Sequence, residues 1–203
     1  MTSSVTPALV LVLGALLVPL LRGRVRAVYM LALPAIGFWQ LLGLEYGSYG
    51  QVELFGHTLV TLRVDKLSLM FGYIFHIAAF LSVIYSLHVK DTVQQVAGLS
   101  YVGGAVGAVF AGDLVTLFVF WELTAITSVF LIWARRTERS YRAGMRYLVI
   151  QVGSGVILLA GLVIHQKATG SIAFDHHRPV GLRRSRTARY ATARPRRGKT
   201  KRT

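Results

Sequence analysis

The sequence predicts an all-α polytopic membrane protein of about six transmembrane helices, with a short extracytoplasmic β-hairpin between the second and third and a disordered basic C-terminal tail. Three observations predict it. First, 54% of the 203 residues are hydrophobic and only 15% are charged, and the mean hydropathy of +0.54 is too high for an ordinary soluble domain. Second, apolar runs long enough to approach a ~30 Å hydrocarbon core recur along the chain. Third, the net charge of +15 is not spread evenly: residues 176–203 hold eleven of the 23 Lys and Arg and no Asp or Glu, which leaves +4 for the preceding 175. The charge is therefore a property of the tail and of a few loops. Zero cysteines exclude disulfides, thiolate metal sites and a cysteine nucleophile.

The first apolar run, residues 6–21, has no Lys or Arg before it and Arg22, Arg24 and Arg26 after it. That order suits a first membrane helix and not a signal peptide. A second run covers 27–44. Residues 45–66 contain Gly47, Gly50 and Gly56, with β-rich pieces at 51–55 and 58–64 around Gly56 and His57, the pattern of a hairpin lying at the membrane surface. Asp65 occupies the N-cap position of a third run, 67–87. The fourth and fifth runs, 96–111 and 114–133, are separated only by the turn-forming residues Gly112 and Asp113, so they form an antiparallel pair. A sixth covers 147–164. Gly103 with Gly107, and Gly153, Gly155 and Gly161, supply the small residues that helices need to approach closely in lipid. Residues 1–60 thus hold helices one and two and the start of the hairpin, residues 61–175 hold helices three to six, and residues 176–203 form the tail.

Loop charge predicts the orientation. Arg22, Arg24 and Arg26 lie between the first two spans, and Arg135, Arg136, Arg139, Arg142 and Arg146 between the fifth and sixth, while the loop at 88–91 is nearly neutral. With six spans these three loops share a side, which the positive-inside rule makes cytoplasmic, leaving the N-terminus, the hairpin and the Gly112-Asp113 turn outside. The tail then falls on the outer side, where its charge opposes the rule. It is read either as a polyanion-binding patch or, given the abrupt change of composition near Asp175, as an out-of-frame continuation. The second reading is favoured, and no nucleic-acid partner is expected.

Glu122 is the outstanding site residue. It is the one charge in residues 114–133, about 12 Å along a helix from their start at ~1.5 Å per residue, hence near mid-membrane. A central carboxylate costs about 2.5 to 3.5 kcal/mol and is kept where it handles protons or cations or meets a polar partner; a structural hydrogen bond between helices is the competing account. Arg142 and Arg146 are the basic candidates to modulate it, although both lie toward a helix end. His76, ten residues into the third run, is a second proton-translocation candidate at the same depth. Asp113 could be a carboxylate through which ions enter, or a turn residue. His57, His88 and His165 fall at edges or loops, and His176 and His177 fall in the tail. Gln151 and Ser154 could line a water path. The spacing at 103–107 is not that of a nucleotide-binding turn. No cofactor, metal or catalytic site is expected in this chain.

Val64-Asp65-Lys66-Leu67-Ser68-Leu69, the run from Ala111 through Phe118-Val119-Phe120-Trp121-Glu122-Leu123-Thr124, and Arg142-Ala143-Gly144-Met145-Arg146-Tyr147-Leu148 together resemble the antiporter-like membrane subunits of Mrp-type multisubunit sodium/proton antiporters, subunits A and D above all, and of respiratory complex I. The closing Thr169-Gly170-Ser171 also fits. The resemblance covers residues 61–175. It implies a bacterial cytoplasmic-membrane subunit that works with other antiporter subunits in a hetero-oligomer and exchanges protons for Na+ or a similar cation, with Glu122 as the translocating residue coupled to a lysine two helices on. The alternative it implies is a proton-pumping subunit of NADH:quinone oxidoreductase, with all redox chemistry in partners. Family members continue through about fourteen helices in two inverted repeats, and 176–203 does not match that continuation, so the chain reads as a truncated or frame-shifted first repeat.

Overall fold

Every α-helix but the second begins where a side chain accepts from one of its free amides. A computed structural model describes residues 6–54 and 57–174, the side chains of 54 and 57 aside. Thr6 caps α1 (Pro7–Leu17), which passes into a 3-10 turn at Val18–Leu20, where Pro19 prevents continued α geometry. Helix α2 is Gly23–Leu42. Asp65 caps α3 (Lys66–Ser86) in a capping box, its Oδ1 accepting from Ser68 N at 2.8 Å while Ser68 Oγ accepts from Asp65 N at 2.8 Å. The Ser68 amide holds the Asp65 carboxyl below its ordinary pKa. Asp91 caps α4 (Thr92–Phe110), Asp113 caps α5 (Leu114–Trp133), and a Thr137–Ser140 capping box opens α6 (Glu138–Thr169). Gly170, at φ 70°, ends α6 in the left-handed geometry that glycine tolerates.

Five of these helices, α2 to α6, are long and apolar enough to cross a membrane, and Pro7–Leu20 is an apolar helix of shorter length. The polytopic all-helical prediction therefore holds, with the first of the six expected spans the short one among the described residues. The largest boundary differences are at the two ends of α6, which starts nine residues before its apolar run and ends five after it; α2 and α4 each start four residues early, and the starts of α4 and α6 share a cause. Both beginnings are polar turns fixed by a cap, which hydropathy does not register. As a result Arg139, Arg142 and Arg146 lie on the first turns of α6 and not in a loop, and Arg142 pairs with Glu138 at 3.1 Å one turn back.

Strands β1 (Gly47–Leu54) and β2 (His57–Val64) form the predicted hairpin, antiparallel in the register Gly47↔Val64 to Leu54↔His57. Gly50 takes φ 64° within β1, a conformation that disfavours any side chain, and Thr61 Oγ1 donates to its carbonyl at 2.7 Å. Of the turn expected at Gly56 and His57, His57 opens β2, while residues 55–56 and the basic tail lie outside the described residues.

Helices α1 to α4 form a ring in which each packs on the next and α4 returns to α1; α5 packs on α4, and α6 on α5. Lipid offers no hydrophobic gain for helix association, so steric fit has to hold the bundle together. A Cβ on Gly103 would lie 2.6 Å from Val12 of α1, and one on Gly107 would enter the Phe120 ring of α5. The two glycines expected to make one packing face thus seat two different helices. Leu11, Met30, Leu41, Val106 and Phe110 fill the ring, together with Leu62 and Val64 of β2.

The loops sort to two ends as the count of six apolar segments predicted. Gly112 N donates to Val60 O of β2 at 2.9 Å, and Leu114 N to Ile172 O at 2.9 Å, so the hairpin, the α4–α5 turn and the exit of α6 share one end. At the other end Arg26 donates to Thr92 Oγ1 at 2.8 Å and Arg136 meets Asp91 at 3.0 Å, tying together the three loops expected on one side.

Candidate functional site

Helix α5 carries Glu122 from a fixed origin. Both oxygens of the fully buried Asp113 are engaged there. Oδ1 accepts from Thr116 N at 2.8 Å, and Oδ2 accepts from Thr116 Oγ1 at 2.7 Å and from Val60 N at 2.7 Å. The carboxylate expected either in a turn or at an ion mouth therefore caps α5 and pins the hairpin to it.

Nine residues along, Glu122 is half-buried and its Oε1 is wholly buried with no hydrogen-bond partner. The oxygen rests over Gly155 of α6, where a Cβ would collide with it. Helix α6 thus supplies the seat by omitting a side chain. Ser128 Oγ and Tyr147 Oη, hydrogen-bonded at 2.9 Å, join the same two helices nearer the basic end. A largely apolar cavity of about 520 Å³ lies on the neighbouring face of α5, lined by Trp121, Thr124, Tyr147 and Gln151 among alanine, valine, leucine and aromatic side chains, with Glu122 itself outside its lining. None of the ion pairs among the described residues involves Glu122. Arg142 is taken by Glu138, and Arg146 lies nine residues before Gly155, about 13 Å away along the axis. A mid-helix carboxylate oxygen shut away from hydrogen-bond donors is costly to keep.

His76 sits at comparable depth, ten residues into α3, and is 1% exposed. Its Nδ1–H donates to Gly72 O at 2.8 Å, which fixes the tautomer and leaves Nε2 as the other ring nitrogen, buried and without a partner. Nε2 faces α2 at Gly37, where a Cβ would come within 2.5 Å. The cavity beside it, about 260 Å³, is lined by apolar residues including Pro34, Phe38, Ile77 and Phe80. Helices α3 and α5 are joined chiefly through α4, so the structure sets His76 and Glu122 at similar depth without bringing them together.

The remaining histidines fall where they were expected or outside view. His88 packs edge-on against Tyr85 at 5.7 Å, His165 is exposed, and the His57 side chain, His176 and His177 lie outside the described residues. Ser154 is exposed, whereas Gln151 lines the cavity beside α5. Sequence reasoning missed what the glycines do. Gly37 and Gly155 are each shaped to a titratable side chain of another helix, and only a glycine standing in a span at the depth of a polar residue could have signalled it.

Residues 111–183 match the family model described as NADH:quinone oxidoreductase/Mrp antiporter, TM. A Staphylococcus epidermidis protein assigned as antiporter subunit mnhA2 is 34% identical over 118 residues, covering 54% of this chain and 15% of that protein. Na(+)/H(+) antiporter subunit A1 of Staphylococcus aureus is 30% identical over 122 residues, covering 57% and 15%. The chain therefore spans about a seventh of the length of these relatives. Among solved structures, a chain of the membrane-bound sulfane sulfur reductase, an archaeal respiratory membrane complex, superposes with a TM-score of 0.73 at 24% identity, covering 83% of this chain and 28% of that one, a likeness of fold.

Proposed function

Because this chain belongs, through residues 111–183, to the membrane-subunit family shared by NADH:quinone oxidoreductase and Mrp antiporters, we propose that it is a segment of a monovalent cation/proton antiporter subunit in which Glu122 carries the proton. The observation that supports this reading is the unpartnered Glu122 Oε1, buried at mid-helix against Gly155. Protonation neutralises a carboxylate in a low-dielectric site, and an approaching positive charge favours its release. None of the ion pairs among the described residues supplies that charge, and the resemblance implies a lysine two helices on for it. Exchange would then alternate between a protonated Glu122 and an ionised one balanced by the incoming cation charge.

The test is sodium-driven proton movement in everted vesicles from antiporter-deficient cells that also make the partner subunits. Glu122→Gln keeps the shape and removes the titration, so it abolishes exchange, while Glu122→Asp retains a fraction. Wild-type rates in the Gln variant would end the proposal. The family description covers a second reading, a redox-driven proton-pumping subunit. It would show proton movement on addition of NADH to the assembled complex and none on a sodium jump.

We further place the protein in the bacterial cytoplasmic membrane, with the Arg26–Thr92 and Arg136–Asp91 end inside and the hairpin outside. The absence of cysteines makes single introduced ones clean reporters. An impermeant thiol reagent on intact cells labels Val52→Cys and spares His88→Cys, and the reverse pattern inverts the orientation.

A further inference from the structure

At the end of the bundle away from the hairpin, the last turn of α5 and the first turns of α6 border a cavity of about 740 Å³. Arg135 and Arg139 line it, with Leu131, Ile132 and Ala143 as an apolar wall. These two arginines differ from their neighbours. Arg136 is paired with Asp91 at 3.0 Å and Arg142 with Glu138 at 3.1 Å, whereas among the described residues neither Arg135 nor Arg139 has an ion-pair or hydrogen-bond partner. The hydroxyl oxygens of Thr137 and Ser140, which also reach the cavity, accept the capping-box amides at 3.1 Å in each direction, and Ser140 Oγ donates to Thr137 O at 2.8 Å. No carboxylate lines it. The site offers two guanidinium forks, the geometry that binds phosphate oxygens in pairs.

Its depth selects the source of that phosphate. Trp133 and Tyr141 stack at 5.9 Å where α5 gives way to α6, and amphipathic rings of this kind settle at the headgroup level of a bilayer. Leu131 and Ile132 belong to the apolar span below. A free phosphate would use the arginines and leave this wall bare, while a lipid uses both, its acyl chain running down α5. Basic pockets between membrane helices hold anionic headgroups in this way. We propose that the cavity is a binding site for an anionic phospholipid of the phosphatidylglycerol type, its phosphate gripped by Arg135 and Arg139. The site is independent of the transport reading.

Native mass spectrometry of the full chain, released from micelles doped with phosphatidylglycerol or phosphatidylcholine, tests this. The wild-type chain retains phosphatidylglycerol selectively, and the Arg135→Ala/Arg139→Ala double variant retains about tenfold less. Arg136→Ala/Arg142→Ala removes the same charge from outside the cavity and stays within about twofold of wild type. The basic tail is common to all forms and cancels in the comparison. An equal fall in both doubles would make the effect diffuse charge and overturn the proposal, as would equal retention of phosphatidylcholine or displacement of the lipid by millimolar inorganic phosphate. Where the alanine double fails to fold, Arg135→Lys/Arg139→Lys keeps the charge and loses the planar fork. It binds less lipid than Arg136→Lys/Arg142→Lys if the cavity is the site, and equally if it is not.

Discussion

The α1–α4 ring and the α5–α6 pair solve the same problem, a titratable side chain at mid-membrane, in opposite ways. His76 lies inside the ring with no exposed surface to speak of, one nitrogen tied to its own helix and the other against Gly37. Glu122 lies on the outer pair, half-buried, with one unpartnered oxygen over Gly155. Half of the most apolar stretch of α4 is buried, against 11% of that of α6. The ring encloses its polar side chain more completely, even with cavities of about 510 and 260 Å³ among its helices, whereas the pair is an open edge that leaves more of its apolar surface uncovered. A proton carrier has to exchange its proton with something, and that requirement favours the open site.

The largest expected effect breaks the closed side. Gly37→Ala puts a methyl group 2.5 Å from His76 Nε2, on a ring that the Gly72 bond prevents from turning away. Overpacking of this kind costs about 1 to 3 kcal/mol. It lowers the midpoint of thermal unfolding in detergent, followed by the size-exclusion peak of the folded protein. His76→Ala in the same chain removes the clash, so the double variant is more stable than the two single effects add up to, with a coupling of about 0.5 to 3 kcal/mol. Strict additivity would mean that the ring and Gly37 do not meet.

Gly155→Ala makes the corresponding change on the open side with a smaller effect on stability. Its methyl group collides with the far end of a flexible carboxylate, which can swing away, so unfolding shifts by less than about 1 kcal/mol. The functional effect should be the larger one, because the oxygen loses its seat. Sodium-driven proton exchange falls while the amount of folded protein holds. A variant that loses stability and keeps its rate would reverse the comparison between the two sites.

How much of this could be read beforehand follows the same division. The hairpin, the Asp65 cap, the turn at Gly112-Asp113 and the shared end of the three loops were legible because each rests on local chemistry or on the count of apolar segments. The start of α6 at Glu138 was not, since its first turns are polar and the apolar run begins only at Tyr147. Glu122 and His76 stood out as polar residues in apolar runs, but their difference in enclosure depends on which helices surround them, and that is tertiary. The sequence also pointed to Gly153, Gly155 and Gly161 as one packing face, and only Gly155 is used that way among the described residues.

The two unused glycines give the smallest and most discriminating effect. A Cβ at Gly153 or at Gly161 would meet nothing within 4 Å, and both positions lie well inside α6. By itself the chain should therefore gain the difference in helix propensity from Gly153→Ala or Gly161→Ala, about 0.5 to 1 kcal/mol each. The outward face of α6 also carries Val149, Ile157 and Ile164 in the open, and small residues on such a face are what a neighbouring helix needs to come close. The same variants therefore separate two environments. A gain in stability of the isolated chain that persists in the assembled complex means the face meets lipid. A gain in isolation that becomes a loss of co-purifying subunits means another helix packs on those glycines, on the side of α6 opposite Gly155 and Glu122.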